Sequence, residues 1–212
     1  MSKDLTLHNL VDKHKGAIFD IVGSGETALE YRPTPKVVSI GLNRGCLLAP
    51  LIGLKNPIFD YEIIYDRAVL RMDWYTPGMA SEGVIIESGV VRAANQDKLS
   101  KVENKIWLTV PQGKEMPDVI TPDKLYRMGT SVALAMQCAC LMGASEIHLY
   151  GTTYTEGEES FKYFTGDTAP KSYKYSQRDT EAVIKKLMSQ FGVKILAKKP
   201  NYFVSKKLIG EL

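Results

Sequence analysis

The chain is poor in cysteine, with three in 212 residues, Cys46, Cys138 and Cys140. They are odd in number, lie in apolar contexts and show neither CxxC nor Cys/His ligand spacing, which excludes a disulfide scaffold and a structural zinc and predicts a reduced, cytoplasmic setting. Long apolar runs are also missing. The longest, such as 17–19 and 132–136, fall far short of the roughly 18 residues of a membrane span, so no transmembrane segment is expected. The amino end mixes Lys3, Asp4, Asp12, Lys13 and Lys15 without an apolar core segment, so it is not a secretory signal. Histidine is limited to His8, His14 and His148, and no Asp-x-Asp pair occurs. The composition, 44% hydrophobic and 24% charged, is that of an ordinary folded protein. At roughly 150 residues per domain, it predicts one domain over 1–212.

The net charge of +3 hides an asymmetry. Residues 161–212 carry 11 Lys/Arg against 4 acids, a balance of +7, and the preceding 160 residues sum to −4. A basic end (176–212) on an acidic body suits a polyanionic partner, DNA or an anionic membrane surface, or else reflects solvated helix faces and a charged tail.

Short β-branched or aromatic runs bounded by Gly, Pro, Asn or Asp predict strands at 16–22, 36–42, 61–65, 83–87, 105–109, 146–150 and 193–196. A small-residue helix is predicted over 125–141, ending at Gly143, and an amphipathic one over 176–190, stopped by Gly192. A short helix at 26–31 stops before Pro33 and Pro35. The loop 152–175 is long for a compact domain and reads as a mobile, functional segment. Alternating strands and helices predict an α/β fold, a single doubly wound, mainly parallel Rossmann-like sheet with helices on both faces.

Gly23, Gly25 and Ala28 match the G-x-G-x-x-G/A turn, placed after a strand as the motif demands. Its missing side chains let backbone amides approach a phosphate at a helix amino end. A dinucleotide reader also needs an acid about 20 residues on. The chain has Asn43-Arg44 there, which disfavours NAD while Arg44 keeps NADP open, and Asn43 can donate and accept toward a ribose or a base edge.

The order of strand, Gly-x-Gly, strand and Asn43 resembles the bacterial family-42 sialyltransferases and the related motility-accessory-factor domains. The strongest stretches are the helix led by Gly129-Thr130-Ser131 and the strand and loop Glu146-Ile-His-Leu-Tyr-Gly-Thr-Thr-Tyr154. Weaker similarity continues through Ser172–Ser176, Thr180-Glu181 and Lys194–Leu196. The resemblance implies that Thr130 and Ser131 contact a donor nucleotide and that Thr152, Thr153 and Tyr154 help bind it. The chain departs from the family in two places. Thr153 stands where the family has aspartate, and the catalytic histidine before the late helix is replaced by the run Tyr173-Lys174-Tyr175-Ser176. His148 reads as a strand residue packed on the sheet.

The resulting expectation is a metal-independent, inverting glycosyltransferase whose nucleotide-sugar is a co-substrate, with no other cofactor. Its phosphate would rest on the amides of Gly23, Ser24, Gly25, Glu26 and Thr27, the hydroxyls of Thr130 and Ser131, and Tyr173 or Tyr175. Asp66 at a strand end, Asp179 near the late helix start and Tyr175 are the catalytic candidates; Asp66 reads equally as a solvated carboxylate or a partner of Arg67. Trp74 and Tyr75 either stack a sugar or extruded base, or cap the core from outside. The acceptor is a surface glycan or a hydroxylated base in viral DNA. A pterin diphosphokinase-like transferase and a non-catalytic nucleotide-binding module are the alternatives, and the oligomeric state is left open.

Overall fold

The computed structural model describes residues 5–65, 69–76, 80–87, 98, 100–102, 104–110, 115–126, 130–152, 163–166, 174–198 and 208–212, with side chains left aside at 174–177. One sheet runs through them. Its strands are β1 (Leu5–Thr6), β2 (Ile18–Val22), β3 (Val38–Leu42), β4 (Phe59–Ile64), β5 (Ala80–Glu87), β6 (Lys105–Leu108), β7 (Glu146–Tyr150), β8 (Lys194–Ala197) and β9 (Gly210–Glu211). They stand in the order β1-β6-β5-β4-β3-β2-β7-β8-β9, all pairs parallel. The seven predicted strands are all present. The two additions are two-residue edge strands, too short to carry a periodic signal.

Strands covered on both faces are mostly apolar, as a parallel sheet favours, with Asp20, Ser39 and Glu62 as buried polar exceptions. Phe19, Ile21, Ile40, Ile63, Ile85, Ile147 and Ile195 point to one face. Val22, Ile64, Val84 and Ile86 point to the other. The first face is covered by α2 (Ser131–Leu141), which lies over β2, β3 and β4, and by α3 (Lys174–Phe191), which packs on α2 and β8. Ten of the eleven residues of α2 are buried, so this helix has no solvated stripe. The second face carries 3-10 turns at Glu26–Glu30, Asn43–Leu47 and Val69–Arg71, and the one-turn helix α1 (Leu48–Leu51).

The helix predicted from 125 begins instead at Ser131. Buried Gln137 explains the shift, because its amide accepts from Tyr126 N at 2.7 Å and donates to Tyr126 O at 3.1 Å, taking both backbone groups of Tyr126 away from a helical ladder. Gln190 clamps Ile120 N and O in the same way, both at 2.8 Å. Two side-chain amides thus take the place of a missing strand partner. All three cysteines are free and buried. Among the described residues, no helix is long and apolar enough to cross a membrane.

Candidate functional site at the carboxyl ends of three strands

The chain runs from β2 through β3, β4, β5 and β6 toward one edge, then returns to place β7, β8 and β9 on the other side of β2. That reversal lies beside β2, and open α/β sheets bind ligands at such a point, beyond the carboxyl ends of the strands. Three strand ends meet there: β3 leads into Asn43, β2 into Gly23 and β7 into Gly151-Thr152.

The glycine turn approaches backbone more closely than the motif alone suggests. A Cβ on Gly23 would sit 2.5 Å from the carbonyl oxygen of Gly151, itself a glycine at φ +60°. Gly23 N donates to Tyr150 O and Gly25 N to Gly151 O, both at 2.8 Å. Thr27, buried, accepts from Gly151 N at 2.8 Å. Gly23, Gly25 and Thr27 therefore join the ends of β2 and β7. Ser24 is half-buried and its carbonyl accepts from Phe164 N at 2.9 Å, while Glu26 is exposed.

Asn43 opens the turn after β3 at φ +46°, a left-handed conformation that asparagine tolerates better than most residues. Its Nδ2 donates to Ser131 Oγ at 3.3 Å, at the amino end of α2. Its buried Oδ1 has no hydrogen-bond partner, and neither does the buried Oγ1 of Thr152. Thr130 caps α2, accepting from Ala133 N at 3.3 Å, and lies 3.2 Å from the hydroxyl of Thr180 on α3. That contact brings the second turn of α3 to the start of α2. Beside Thr180, Asp179 accepts from the Tyr126 phenol at 3.3 Å.

Arg44 forms the outer wall. Its guanidinium lies 4.1 Å from the centre of the Tyr163 ring and 5.2 Å from that of Trp74, and Nη1 donates to Thr165 Oγ1 at 2.9 Å. Tyr163 bridges to Gly25, so 163–166 is docked on the glycine turn. Asp66, Thr153, Tyr154 and Tyr173 lie outside the described residues. Tyr175 is in the first turn of α3, with its side chain also outside them.

Other candidates resolve into packing. His148 lies between Asp20 Oδ1 at 3.1 Å and Glu146 Oε1 at 2.7 Å, and Glu146 also meets Lys194 at 3.0 Å. The hydrogen bond from His148, and then that from Lys194, hold the Glu146 carboxyl below its ordinary range, whereas burial raises that of Asp20 against the pull of His148. Tyr75 is buried and Trp74 half-buried, so this aromatic pair covers the core. Sequence reasoning missed Glu62 on β4, which is 0% exposed and has no hydrogen-bond partner for either oxygen. Burial pushes its carboxyl up to about 8. An acid isolated in the run Tyr61-Glu62-Ile63-Ile64 was its one visible sign.

No protein-family model matches the chain, and no curated protein matches it in sequence. Solved structures do match. The monofunctional alpha-2,3-sialyltransferase Cst-I from Campylobacter jejuni superposes with a TM-score of 0.58 at 15% identity, covering 100% of this chain and 86% of the other. The fold is that of the family-42 sialyltransferases. A point variant of the sialyltransferase CstII in complex with CMP gives 0.58 at 13% identity over 92% of this chain and 86% of that one. CstII with a trisaccharide acceptor and CMP gives 0.55 at 15% over 92% and 85%.

Proposed function

We propose that the chain is a glycosyltransferase that binds a nucleotide-sugar between the ends of β3, β2 and β7 and transfers the sugar to an acceptor hydroxyl. One observation carries the reading: Asn43 Oδ1 and Thr152 Oγ1 are buried without partners beyond the ends of β3 and β7, the two strands that flank β2, with Asn43 beside the start of α2. A bare buried acceptor costs about 1–3 kcal/mol, and a ligand hydroxyl or amino group would repair it. The fold adds support, since CMP is the ligand named with the similar CstII structures.

In the proposed reaction the acceptor oxygen loses its proton to a base and bonds to the anomeric carbon. The bond from that carbon to the donor phosphate breaks, and its electron pair leaves with the nucleotide. A single displacement of this kind inverts the anomeric centre. Asp179, Tyr175 and Asp66 are the proposed catalytic groups. Asn43, Arg44, Thr130, Ser131, Thr152, Thr153, Tyr154, Tyr173 and, in the glycine turn, Ser24 and Glu26 form the proposed donor site; the Gly23 and Gly25 amides and the Thr27 hydroxyl, expected to face the phosphate, are taken by the end of β7. The absence of Asp-x-Asp from the sequence is the reason for proposing a metal-independent route. A glycan acceptor is favoured over DNA by the trisaccharide complex of the similar CstII. DNA binding through the basic end would instead weaken steeply with salt.

The test is a thermal-shift series with CMP, UDP, GDP and their sugars, on the unaltered chain and on Asn43→Ala. A nucleotide at a hundred times its dissociation constant should stabilise the chain by about 2.7 kcal/mol, with most of that lost in Asn43→Ala. No shift with any nucleotide or sugar nucleotide overturns the reading. Binding without sugar release would leave a nucleotide-binding module, and release of AMP from added ATP would indicate the diphosphokinase alternative.

A further inference from the structure

Glu62 lies one layer behind the turn that carries Asn43 and Arg44. On the sheet it pairs with Gly41 of β3 and Val84 of β5, so neither neighbouring strand sets a charge beside it. The groups facing it from the covering layer are the Cys46 thiol of the 43–47 turn and the Tyr75 phenol, with Lys98 Nζ 6.0 Å from the centre of the Tyr75 ring. Tyr75 is its polar neighbour, yet neither the phenol nor the carboxyl makes a well-formed hydrogen bond. Cys46 joins the two covering segments, its Sγ lying 3.8 Å from Asn43 O and 3.9 Å from Trp74 O.

Resting on the glycosyltransferase reading, we infer that Glu62 is a positioning residue whose proton keeps the 43–47 turn and the Trp74-Tyr75 segment in the form that presents Asn43 and Arg44 to the donor. A neutral carboxyl is tolerated in this apolar layer. A carboxylate would need donors, and the nearest are the Cys46 thiol and the Tyr75 phenol. The bare Tyr75 phenol supplies one donor by drawing the Trp74-Tyr75 segment toward the carboxylate, and Cys46 supplies the second only by leaving the carbonyls of Asn43 and Trp74. That releases the left-handed turn at Asn43 and Trp74, one of the two rings against which Arg44 rests. The elevated titration, about 8 for Glu62, sets where the change falls. Burial holds Cys46 at about 11 and Tyr75 higher still, so both keep their protons at pH 7–9.

The experiment has two arms, each run on the unaltered chain and on Glu62→Gln. In the first, the fluorescence of Trp74, isolated by Trp107→Phe, is followed from pH 6 to 10. A sigmoidal change near pH 8 is expected, and it disappears in Glu62→Gln, which cannot ionise. In the second, affinity for the nucleotide found by thermal shift should fall about tenfold from pH 7 to 9, as the competent fraction shrinks. Glu62→Gln should match the unaltered chain at pH 7 and stay flat to pH 9. A step that survives in Glu62→Gln, or no step in the unaltered chain, overturns the inference. If no nucleotide binds at any pH, the glycosyltransferase reading falls, and the fluorescence arm still decides whether Glu62 controls the turn.

Discussion

Replacing Gly23 by alanine tests what the glycine turn is for. The new Cβ would lie 2.5 Å from Gly151 O and 3.1 Å from its carbon, where ordinary contact begins at 3.4 Å. Both atoms are backbone, so no side chain can swing away, and the ends of β2 and β7 must part by about 0.9 Å. The bonds from Gly23 to Tyr150 and from Gly25 to Gly151, both 2.8 Å, would stretch past useful length. Two bonds at about 1 kcal/mol each, plus residual strain, give a loss of about 2–4 kcal/mol. For a chain of this size that is a fall of about 5–15 °C in melting temperature. Gly192→Ala is the control, because at φ +65° with nothing within 4 Å it meets only the left-handed penalty, about 1–2 kcal/mol. Thermal and urea unfolding of both variants supply the measurement. A Gly23→Ala chain melting within about 2 °C of the original, less than 1 kcal/mol at this size, would refute the close-approach account and return the glycine to a purely ligand-facing role.

Three further outcomes follow from buried polar groups. The Glu62 carboxyl is raised from 4.5 to about 8, so the folded state prefers the proton and stability falls as pH rises between those values. At 1.36 kcal/mol per unit the loss reaches about 5 kcal/mol by pH 8 to 9, and Glu62→Gln should flatten that slope in urea titrations at pH 5, 7 and 9; an unchanged slope argues against it. Gln137→Met removes both bonds to the Tyr126 backbone and should cost about 2–5 kcal/mol, with faster amide exchange at Tyr126 as the local signature. Asn43→Asp should weaken nucleotide binding more than Asn43→Ala, by placing a negative charge beside a phosphate, and equal affinities would move the phosphate elsewhere.

Strand positions were legible because buried parallel strands announce themselves as short apolar runs, as in Phe19-Asp-Ile-Val22 and Val38-Ser-Ile-Gly-Leu42. The late helix was legible from its amphipathic spacing and Gly192. What escaped depends on distant partners. Gln137 and Gln190 act through backbone groups 11 and 70 residues away, which no local pattern reveals. The 3-10 turn at Asn43–Leu47 has no periodicity to detect, and the docking of Tyr163 on Gly25 joins segments far apart in sequence. Asn43 and Ser131 were each singled out from residue chemistry and resemblance, and the fold brings them within 3.3 Å. Thr130 was singled out as well, but its hydroxyl caps α2 and meets Thr180. Glu62 was passed over because one acid in a strand reads as an outward position, whereas the layer of Cys46 and Tyr75 closes over it.

Thr152 separates a ligand-facing hydroxyl from an accident of packing. Several buried polar groups find nearby partners: Ser39 bonds Asp60, Gln137 bonds Tyr126, and His148 bonds Asp20, whereas the phenols of Tyr31 and Tyr75, the Glu62 carboxyl and Asn43 Oδ1 are bare. Thr152 is 3% exposed and its hydroxyl has no partner. Thr152→Val keeps the shape and removes the bare oxygen. The ligand-free chain should gain about 1 kcal/mol, or about 2–4 °C, because an unsolvated hydroxyl has been deleted. The same substitution should shrink the nucleotide-induced shift, because the group that would have met the ligand is gone. Stability and binding then move in opposite directions, the trade expected of a site held strained for function. A fall in both would mean that the hydroxyl supports the fold, and a rise in stability with binding untouched would take Thr152 out of the site.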